Sequence, residues 1–110
     1  MTKVTVFSES GHIVAVEAEG HTGYGEQGED IVCAALSSIL QTALLGLLTV
    51  LGIEVKYDRT EGEDAKLSFS LPRLSKDARH DADVILNTML CGVSDLYSEY
   101  SDFIQLEMKN

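Results

Sequence analysis

The chain has 110 residues, of which 45% are hydrophobic, and 18 acidic against 8 basic residues give a formal net charge of −10 at pH 7. This length and hydrophobic content predict one folded domain over residues 1–110 and exclude an intrinsically disordered chain. The negative charge disfavours nucleic acid and anionic membranes as partners, and it is compatible with a basic polypeptide.

Cysteine and histidine are too dispersed to predict a metal centre. Cys33 and Cys91 form no CxxC pair, and His12, His21 and His80 are scattered along the chain. The sequence therefore predicts no structural zinc site, no thioredoxin-like redox motif and no cofactor. The first residues alternate like a strand and do not resemble a signal peptide. We therefore expect a cytoplasmic protein with reduced thiols.

The N-terminal part of the chain is predicted to form a β-hairpin followed by a glycine-rich loop. The alternating segments Lys3–Phe7 and His12–Glu19 are joined by a turn at residues 8–11. The loop that follows covers residues 20–29. Its glycines are Gly20, Gly23, Gly25 and Gly28.

An uncharged helix is expected after this loop. Asp30 is predicted to be its N-cap, with Ile31 as the first helical residue and Gly52 just past its end. The uncharged stretch Ile31–Ile53 is long enough to span a bilayer, but polar residues interrupt it and its flanks are acidic. A helix buried on most sides is favoured. Its second apolar side is expected to pack on another helix or a second subunit, which favours a homodimer.

The remaining elements complete an α+β domain. Alternation predicts strands over Ile53–Asp58, Leu67–Leu71 and Phe103–Met108, with a turn at residues 59–64. Ser75 is expected to cap a second helix, whose apolar positions recur at helical spacing. These positions are Ala78, Ala82, Ile85, Leu86, Met89, Val93, Leu96 and Tyr97. The order β-β-α-β-β-α-β predicts a mostly antiparallel sheet with two helices packed on it.

Cys33 and His21 are the candidate catalytic pair. As the predicted third residue of the helix, Cys33 would lie among free backbone N–H groups that favour a thiolate and could form an oxyanion hole. A compact loop would bring His21 within hydrogen-bond reach, so that it takes the thiol proton and later protonates a leaving amine. The alternative is that Cys33 is a small buried hydrophobe and His21 a polar surface residue.

Three further residues have two interpretations each. Asp30 either only caps the helix or also orients His21, and Ser37 either bonds within the site or to its own helix carbonyl. Tyr24 either stacks on a bound side chain or packs the loop, which we expect to close over a bound peptide. Cys91 is predicted to be a core residue of the second helix.

The segment Gly20–Ser37 resembles the signature of the Prp family of ribosomal-processing cysteine proteases. In that family a Gly-His pair leads through a glycine-containing loop to an Asp-[hydrophobic]-Val-Cys-Ala-Ala-[hydrophobic]-Ser run. Gly20-His21 and residues 30–37 match these two parts. The resemblance extends over the whole chain in length and element order, with mild departures at Gly25, Glu26 and Glu29 that do not touch the pair.

The resemblance implies a cytoplasmic, homodimeric α+β protease. His21 and Cys33 would be its catalytic dyad, with Asp30 and Ser37 as supporting residues. Its substrate would be the N-terminal extension of large-subunit ribosomal protein twenty-seven, cut after a phenylalanine. A second hypothesis is a non-catalytic module that recognises such an extension without cutting it, and under this hypothesis Cys33 would be an unreactive packing residue. A thiol redox sensor is a weaker third hypothesis, because no resolving cysteine lies close to Cys33 in sequence.

Overall fold

The computed structural model describes residues 1–20, 27–60 and 65–110, with residues 27–30 as backbone only. The strands are β1 (Thr2–Glu9), β2 (His12–Gly20), β3 (Lys56–Thr60), β4 (Lys66–Ser70) and β5 (Ile104–Lys109). The helices are α1 (Gln27–Leu45), which a π-helical turn extends over Gly46–Val50, and α2 (Lys76–Glu99). The order of these elements along the chain is the predicted one.

The strands of the described residues form a five-stranded sheet in the order β3-β4-β2-β1-β5. All neighbouring pairs are antiparallel except β1 and β5, which run parallel. The predicted α+β fold with a mostly antiparallel sheet is therefore confirmed. The parallel pair exists because α2 carries the chain back across the sheet before β5, a connection that a hairpin cannot make.

The β1–β2 hairpin is confirmed, and its turn has a specific geometry. Ser10 and Gly11 both have positive φ, at 52° and 82°. Two positive φ values in a two-residue loop define a type I′ turn, whose twist matches that of the flanking strands. The hairpin brings Thr2 opposite Gly20 at the far end of the two strands. That end of the sheet is where the candidate site lies.

The core lies between one face of the sheet and the two helices. Strand alternation places Val4, Val6 and Val16 on that face, and all three are buried. From the helices, the fully buried Leu36, Leu40, Leu47, Leu86 and Val93 pack against them. The opposite face of the sheet carries the alternate, more polar residues and has neither helix on it.

The start of α1 corrects the sequence prediction. The helix begins at Gln27, so Asp30 is its fourth residue and not its N-cap. Gln27, Glu29 and Asp30 favour this earlier start, because Gln and Glu are good helix formers and acidic residues interact well with a helix N-terminus. Gly28 is consequently part of α1 and not of the preceding loop.

The π-helical extension of α1 ends just before Gly52, the residue that the sequence predicts to lie just past the helix end. Gly52 has a φ of 66°, and Leu51 before it donates its backbone N–H to the Gly46 carbonyl at 3.0 Å. Gly52 therefore occupies the C′ position, which favours a residue without a Cβ. Among the described residues, Ile31–Val50 is long and apolar enough to cross a membrane, a test that the core helix of a soluble protein also passes.

The expectation that α1 is buried on most sides holds except along one strip. The inward side contributes to the core, but Ile31 and Leu45, which lie about 40° apart around the helix axis, are exposed, Ile31 to 66%. The reason is that α2 covers α1 only along one flank, where Gly46 lies against Ile85. A strip of α1 that mixes apolar and polar side chains, namely Ile31, Ala34, Ser38, Thr42 and Leu45, therefore remains on the surface of the chain.

Helix α2 begins as predicted. Ser75 is its N-cap, and its Oγ accepts a hydrogen bond from the Ala78 N–H at 3.2 Å. A hydrogen bond then holds α2 to the hairpin, since Arg79 donates to the Ile13 carbonyl at 2.8 Å. Within α2, Arg79 also pairs with Asp83 at 2.9 Å. At the start of β3 the prediction was less accurate. The strand begins at Lys56, after the buried Ile53 and Val55, and its Tyr57 is exposed.

Candidate active site

Cys33 lies on α1 above the end of the sheet where Thr2 and Gly20 pair. It is the seventh residue of the helix and is half-buried. The Thr2 hydroxyl donates a hydrogen bond to the Cys33 sulfur at 3.8 Å. Because the first four N–H groups of a helix are the ones without an intrahelical partner, the Cys33 N–H is not among them. The predicted oxyanion hole from backbone around Cys33 is therefore wrong, and the helix dipole acts on Cys33 only weakly.

Thr2 is a site residue that the sequence analysis missed. Its side chain is 6% exposed, and its backbone N–H donates to the Phe103 carbonyl at 2.9 Å. These contacts fix β1 so that the hydroxyl faces the sulfur. A sequence signal existed in the alternation of β1, which puts Thr2 on the same face as Val4 and Val6. A polar residue at an inward position needs a hydrogen-bond partner.

We expect Thr2→Val to slow the reaction of Cys33 with iodoacetamide at neutral pH by roughly two- to tenfold. Valine has the shape of threonine but cannot donate to sulfur, and such a hydrogen bond is worth about 0.5–1.5 kcal/mol. The matched control is Thr5→Val, which changes an equally buried threonine on the opposite face of β1. Thr2→Ser should keep the wild-type rate. Equal rates for Thr2→Val and Thr5→Val would contradict a role of the hydroxyl.

Gly20, which precedes His21 in the sequence, is fixed at the same end of the sheet. Its φ is 121°, and a Cβ at this position would lie 2.5 Å from the Met1 carbonyl oxygen and 3.1 Å from the Thr2 Cα. Its N–H donates to the Ala65 carbonyl at 3.3 Å. Glycine is therefore required here both for its backbone conformation and for the close approach of β1.

We expect Gly20→Ala to lower the free energy of unfolding by about 1–3 kcal/mol, because alanine is strained at this φ, and to lower peptide cleavage as well. The added Cβ must displace Met1 and Thr2. Because the Thr2 hydroxyl contacts the Cys33 sulfur, we expect this displacement to lower the activity. Gly52→Ala is the control, since Gly52 also has a positive φ but open space around it. Urea unfolding and cleavage assays of both variants test this. Equal losses of activity would contradict it.

An open cleft of about 160 Å³ extends from Cys33 between α1 and the β3–β4 hairpin. Cys33, Ser37 and Gln41 line it from α1, and Arg59 and Leu67 line it from the strands. Thr2, Gly20 and the apolar Ala18, Leu36 and Leu40 also contribute to its lining. The cleft therefore combines a thiol, polar walls and an apolar base.

The structure brings several of the predicted site residues together. Cys33, Ser37 and Gly20 line the same cleft, as the spacing of Cys33 and Ser37 on one helix face predicted. Other predicted site residues, namely His21, Gly23, Tyr24 and Gly25, lie outside the described residues, as does the side chain of Asp30. The predicted closure of the loop over a peptide likewise stays a prediction.

Cys91 is not the core residue that the sequence predicted. It is exposed on α2, although Met89 and Val93 on either side of it are buried. At about 100° per residue, Cys91 lies on the opposite side of the helix from both of these neighbours. Neither cysteine forms a disulfide. In the described part of the chain, no group of three or more His, Cys, Asp or Glu side chains is placed to hold a metal ion.

Chemically, the cleft presents one candidate nucleophile to an extended ligand. A half-buried thiol with a hydroxyl donor at its sulfur can attack a carbonyl group once a base has taken its proton. The apolar base of the cleft is suited to the side chains of a peptide. The described residues thus contain a candidate nucleophile with a cleft beside it, and the role of His21 as the base stays a prediction.

Comparison with known proteins identifies the family of the chain. The family model described as cysteine protease Prp matches residues 1–105. A ribosomal processing cysteine protease Prp of Staphylococcus aureus is 34% identical over 106 residues, covering 93% of this chain and 92% of that protein. The protein of the same name from Bacillus subtilis is 27% identical over 96 residues, covering 86% and 84%.

Solved structures share the fold. A protein from Streptococcus mutans superposes with a TM-score of 0.89 at 24% identity, covering 99% of this chain and 94% of that one. The essential ribosomal processing protease Prp from S. aureus, in complex with a covalently linked product peptide, gives a TM-score of 0.82 at 26% identity. That match covers 99% of this chain and all of the other. Together with the cleft around Cys33, these matches show that the chain belongs to the Prp family of ribosomal-processing cysteine proteases.

Proposed function

We propose that this protease removes the N-terminal extension of large-subunit ribosomal protein twenty-seven by cutting after a phenylalanine. The observation that carries the proposal is the cleft that has the Cys33 thiol at one end and apolar residues along its base. An extended segment with a large apolar side chain next to the scissile bond fits such a cleft. The net charge of −10 favours a basic partner, as ribosomal proteins generally are.

The proposed mechanism uses Cys33 as nucleophile and His21 as base. His21 takes the thiol proton, and the Cys33 sulfur attacks the carbonyl carbon of the phenylalanine. The tetrahedral intermediate collapses as His21 gives the proton to the leaving amine, which leaves the extension bound to Cys33 as a thioester. Water, deprotonated by His21, then hydrolyses the thioester. In this scheme Asp30 orients His21, and Ser37 supplies a polar contact in the cleft.

The relatives support this proposal through their names and structures. Structures of the S. aureus relative hold a substrate peptide and a covalently linked product peptide, and the relative is named a ribosomal processing protease. A covalently linked product is the species that a cysteine nucleophile would form. A module that only recognises the extension would not need a thiol at the end of its cleft.

The test is mass spectrometry of a synthetic peptide that spans the extension of the ribosomal protein, after incubation with the purified enzyme. We expect a single cut after a phenylalanine, and a peptide with alanine at that position should be cut much more slowly. Cleavage at several unrelated sites would contradict the proposed specificity. Binding of the peptide without any cleavage would favour the recognition module instead.

The proposed enzyme is a homodimer that acts in the cytoplasm and binds neither nucleic acid nor membranes. The support for a dimer is an apolar groove of about 710 Å³ between α1 and α2. Ile39, Thr42, Val84 and Ile85 are among its lining residues, and Val84 is 56% exposed. A second copy seated on this groove would cover it together with the exposed strip of α1.

We expect Val84→Asp to convert the dimer into a monomer, because it would bury a charge in the apolar interface. Sedimentation equilibrium of wild type and variant over a range of concentrations measures this. Tyr57→Asp is the matched control, since Tyr57 is a similarly exposed apolar side chain on β3, outside the groove. A monomeric wild type, or equal dissociation of the two variants, would contradict the groove as the interface.

A further inference from the structure

The Thr2 hydroxyl and the Cys33 sulfur face each other at one end of the cleft. The hydroxyl oxygen lies 3.8 Å from the sulfur and donates a hydrogen bond to it. Both residues line the cleft, and Thr2 is only 6% exposed, so the protein around it shields the hydroxyl from water. The hydroxyl is therefore a fixed donor next to the atom at which the proposed reaction begins.

Negative charge moves away from the sulfur when Cys33 attacks a carbonyl carbon. As the sulfur–carbon bond forms, one electron pair of the carbonyl double bond moves to the oxygen, which becomes an oxyanion. The sulfur becomes a thioether, which is only a weak hydrogen-bond acceptor. A donor that contacted the thiol is thus released at the moment when the oxyanion needs one.

The distance between the two side chains allows the Thr2 hydroxyl to reach this oxyanion. The reacting atoms form about 3 Å from the nucleophile, and an effective donor lies roughly 2.7–3.1 Å from the oxyanion. One oxygen position can satisfy both distances, because the hydroxyl and the sulfur are 3.8 Å apart. The O–H bond needs only to rotate from the sulfur to the oxyanion.

Three described backbone N–H groups near the thiol already have partners. The N–H of Cys33, the seventh residue of α1, is bonded within the helix. The Thr2 N–H donates to the Phe103 carbonyl at 2.9 Å, and the Gly20 N–H donates to the Ala65 carbonyl at 3.3 Å. These bonds hold the backbone of Thr2 in place, and its hydroxyl is the group that can follow the charge.

We propose that Thr2 is a catalytic residue whose hydroxyl donates a hydrogen bond to the oxyanion of the tetrahedral intermediate. Thr2 keeps its proton throughout. When the electron pair returns to the carbonyl, the C–N bond breaks and His21 gives its proton to the leaving nitrogen. Because the bond to the oxyanion forms only after the attack, it raises kcat and does not strengthen peptide binding. This assignment rests on the proposed function only in that Cys33 is the nucleophile.

The test compares two reactions of the same thiol. Alkylation by iodoacetamide forms no oxyanion, so Thr2→Val should slow it only by roughly two- to tenfold, through the lost bond to sulfur. Peptide cleavage passes through the oxyanion, and we expect kcat to fall by about 10²–10³-fold, the effect of removing one oxyanion donor. Thr2→Ser keeps the hydroxyl and should retain most of the wild-type kcat.

Thr5→Val is the matched control, since it removes an equally buried hydroxyl from the opposite face of β1. It should change neither rate. If Thr2→Val lowered kcat by no more than it slowed alkylation, the hydroxyl would act on the sulfur alone and the assignment would be overturned. Equal values of kcat for Thr2→Val and Thr5→Val would overturn it as well.

An aldehyde probe separates this assignment from the proposed substrate. The Cys33 thiol adds to acetyl-phenylalaninal as the sulfur bonds to the aldehyde carbon and the thiol proton passes to the oxygen, which occupies the oxyanion position. Protection of Cys33 from iodoacetamide measures the affinity. We expect Thr2→Val to bind the aldehyde about three- to tenfold more weakly than wild type, because oxygen is a better acceptor than the thiol sulfur. Thr5→Val should bind it as wild type does.

The outcomes of the aldehyde experiment are distinct. If wild type does not cut the extension peptide, yet Thr2→Val loses affinity for the aldehyde, the assignment stands and the proposed function fails. Equal aldehyde affinities of Thr2→Val and wild type would overturn the assignment and leave the protease standing. A wild type that forms no aldehyde adduct would overturn the assignment together with Cys33 as the nucleophile.

Discussion

Cys33→Ala is expected to reduce peptide cleavage by on the order of 10⁴-fold or more, because removing a catalytic nucleophile leaves only the binding contribution to the rate. The fold should persist, since Cys33 is half-buried and alanine is a good helix residue. Initial rates of peptide cleavage by liquid chromatography measure the effect, and circular dichroism checks the fold.

The second cysteine supplies the control for this prediction. Cys91 is exposed on α2 and is not among the residues that line the cleft. Cys91→Ala should therefore cleave within about twofold of wild type, the range expected when a surface substitution has little effect. A Cys33→Ala variant that retained more than a small part of the wild-type rate would exclude Cys33 as the nucleophile.

His21→Ala is expected to lower kcat by roughly 10²–10⁴-fold, the contribution of a positioned general base. The prediction comes from the Gly-His pair of the sequence and from the position of Gly20 in the cleft that also contains Cys33. Alkylation of Cys33 by iodoacetamide at neutral pH should slow in the same variant, because the thiol would lose its proton acceptor.

His80→Ala is the control for His21, since His80 is an exposed histidine of α2. It should leave both cleavage and alkylation unchanged. If His21→Ala cleaved as fast as His80→Ala, a different base would have to activate Cys33, and the proposed dyad would be incorrect.

Local signals allowed most of the fold to be predicted. The Ser10-Gly11 turn, the Ser75 cap and the Gly52 stop depend on residues within a few positions of one another, and each is confirmed. The start of α1 was misplaced because an Asp at the predicted boundary is equally favourable inside the first turn of a helix. The one parallel strand pair depends on how α2 returns across the sheet, which no local pattern specifies.

Only those residues of the candidate site that are close together in sequence could be predicted to lie together. Cys33 and Ser37 could be placed together because i and i+4 share a helix face. The contacts of Thr2 with Cys33 and of Arg59 with Gln41 span 31 and 18 positions, and they arise from strand register and helix docking. For Cys91, an apolar sequence neighbourhood was a poor guide, because burial on a helix follows the three- and four-residue spacing and not adjacency.

The position of Cys33 in α1 changes the account of how it is activated. A cysteine at the third helical residue would gain from the helix N-terminus, but the seventh residue lies beyond the first turn, where that effect fades. If Cys33 is the nucleophile, as proposed, side chains around the sulfur must activate it. The Thr2 hydroxyl is one such group, and His21 is proposed to be the other.

The most direct test of Cys33 as the nucleophile is to trap its acyl intermediate. The enzyme is mixed with the ribosomal extension peptide, quenched in acid within the first turnovers, digested and analysed by mass spectrometry. The proposed mechanism predicts that the peptide containing Cys33 gains the mass of the N-terminal cleavage fragment less one water. Cleavage that proceeds with no adduct on Cys33 at any quench time, or with the adduct on Cys91, would contradict it.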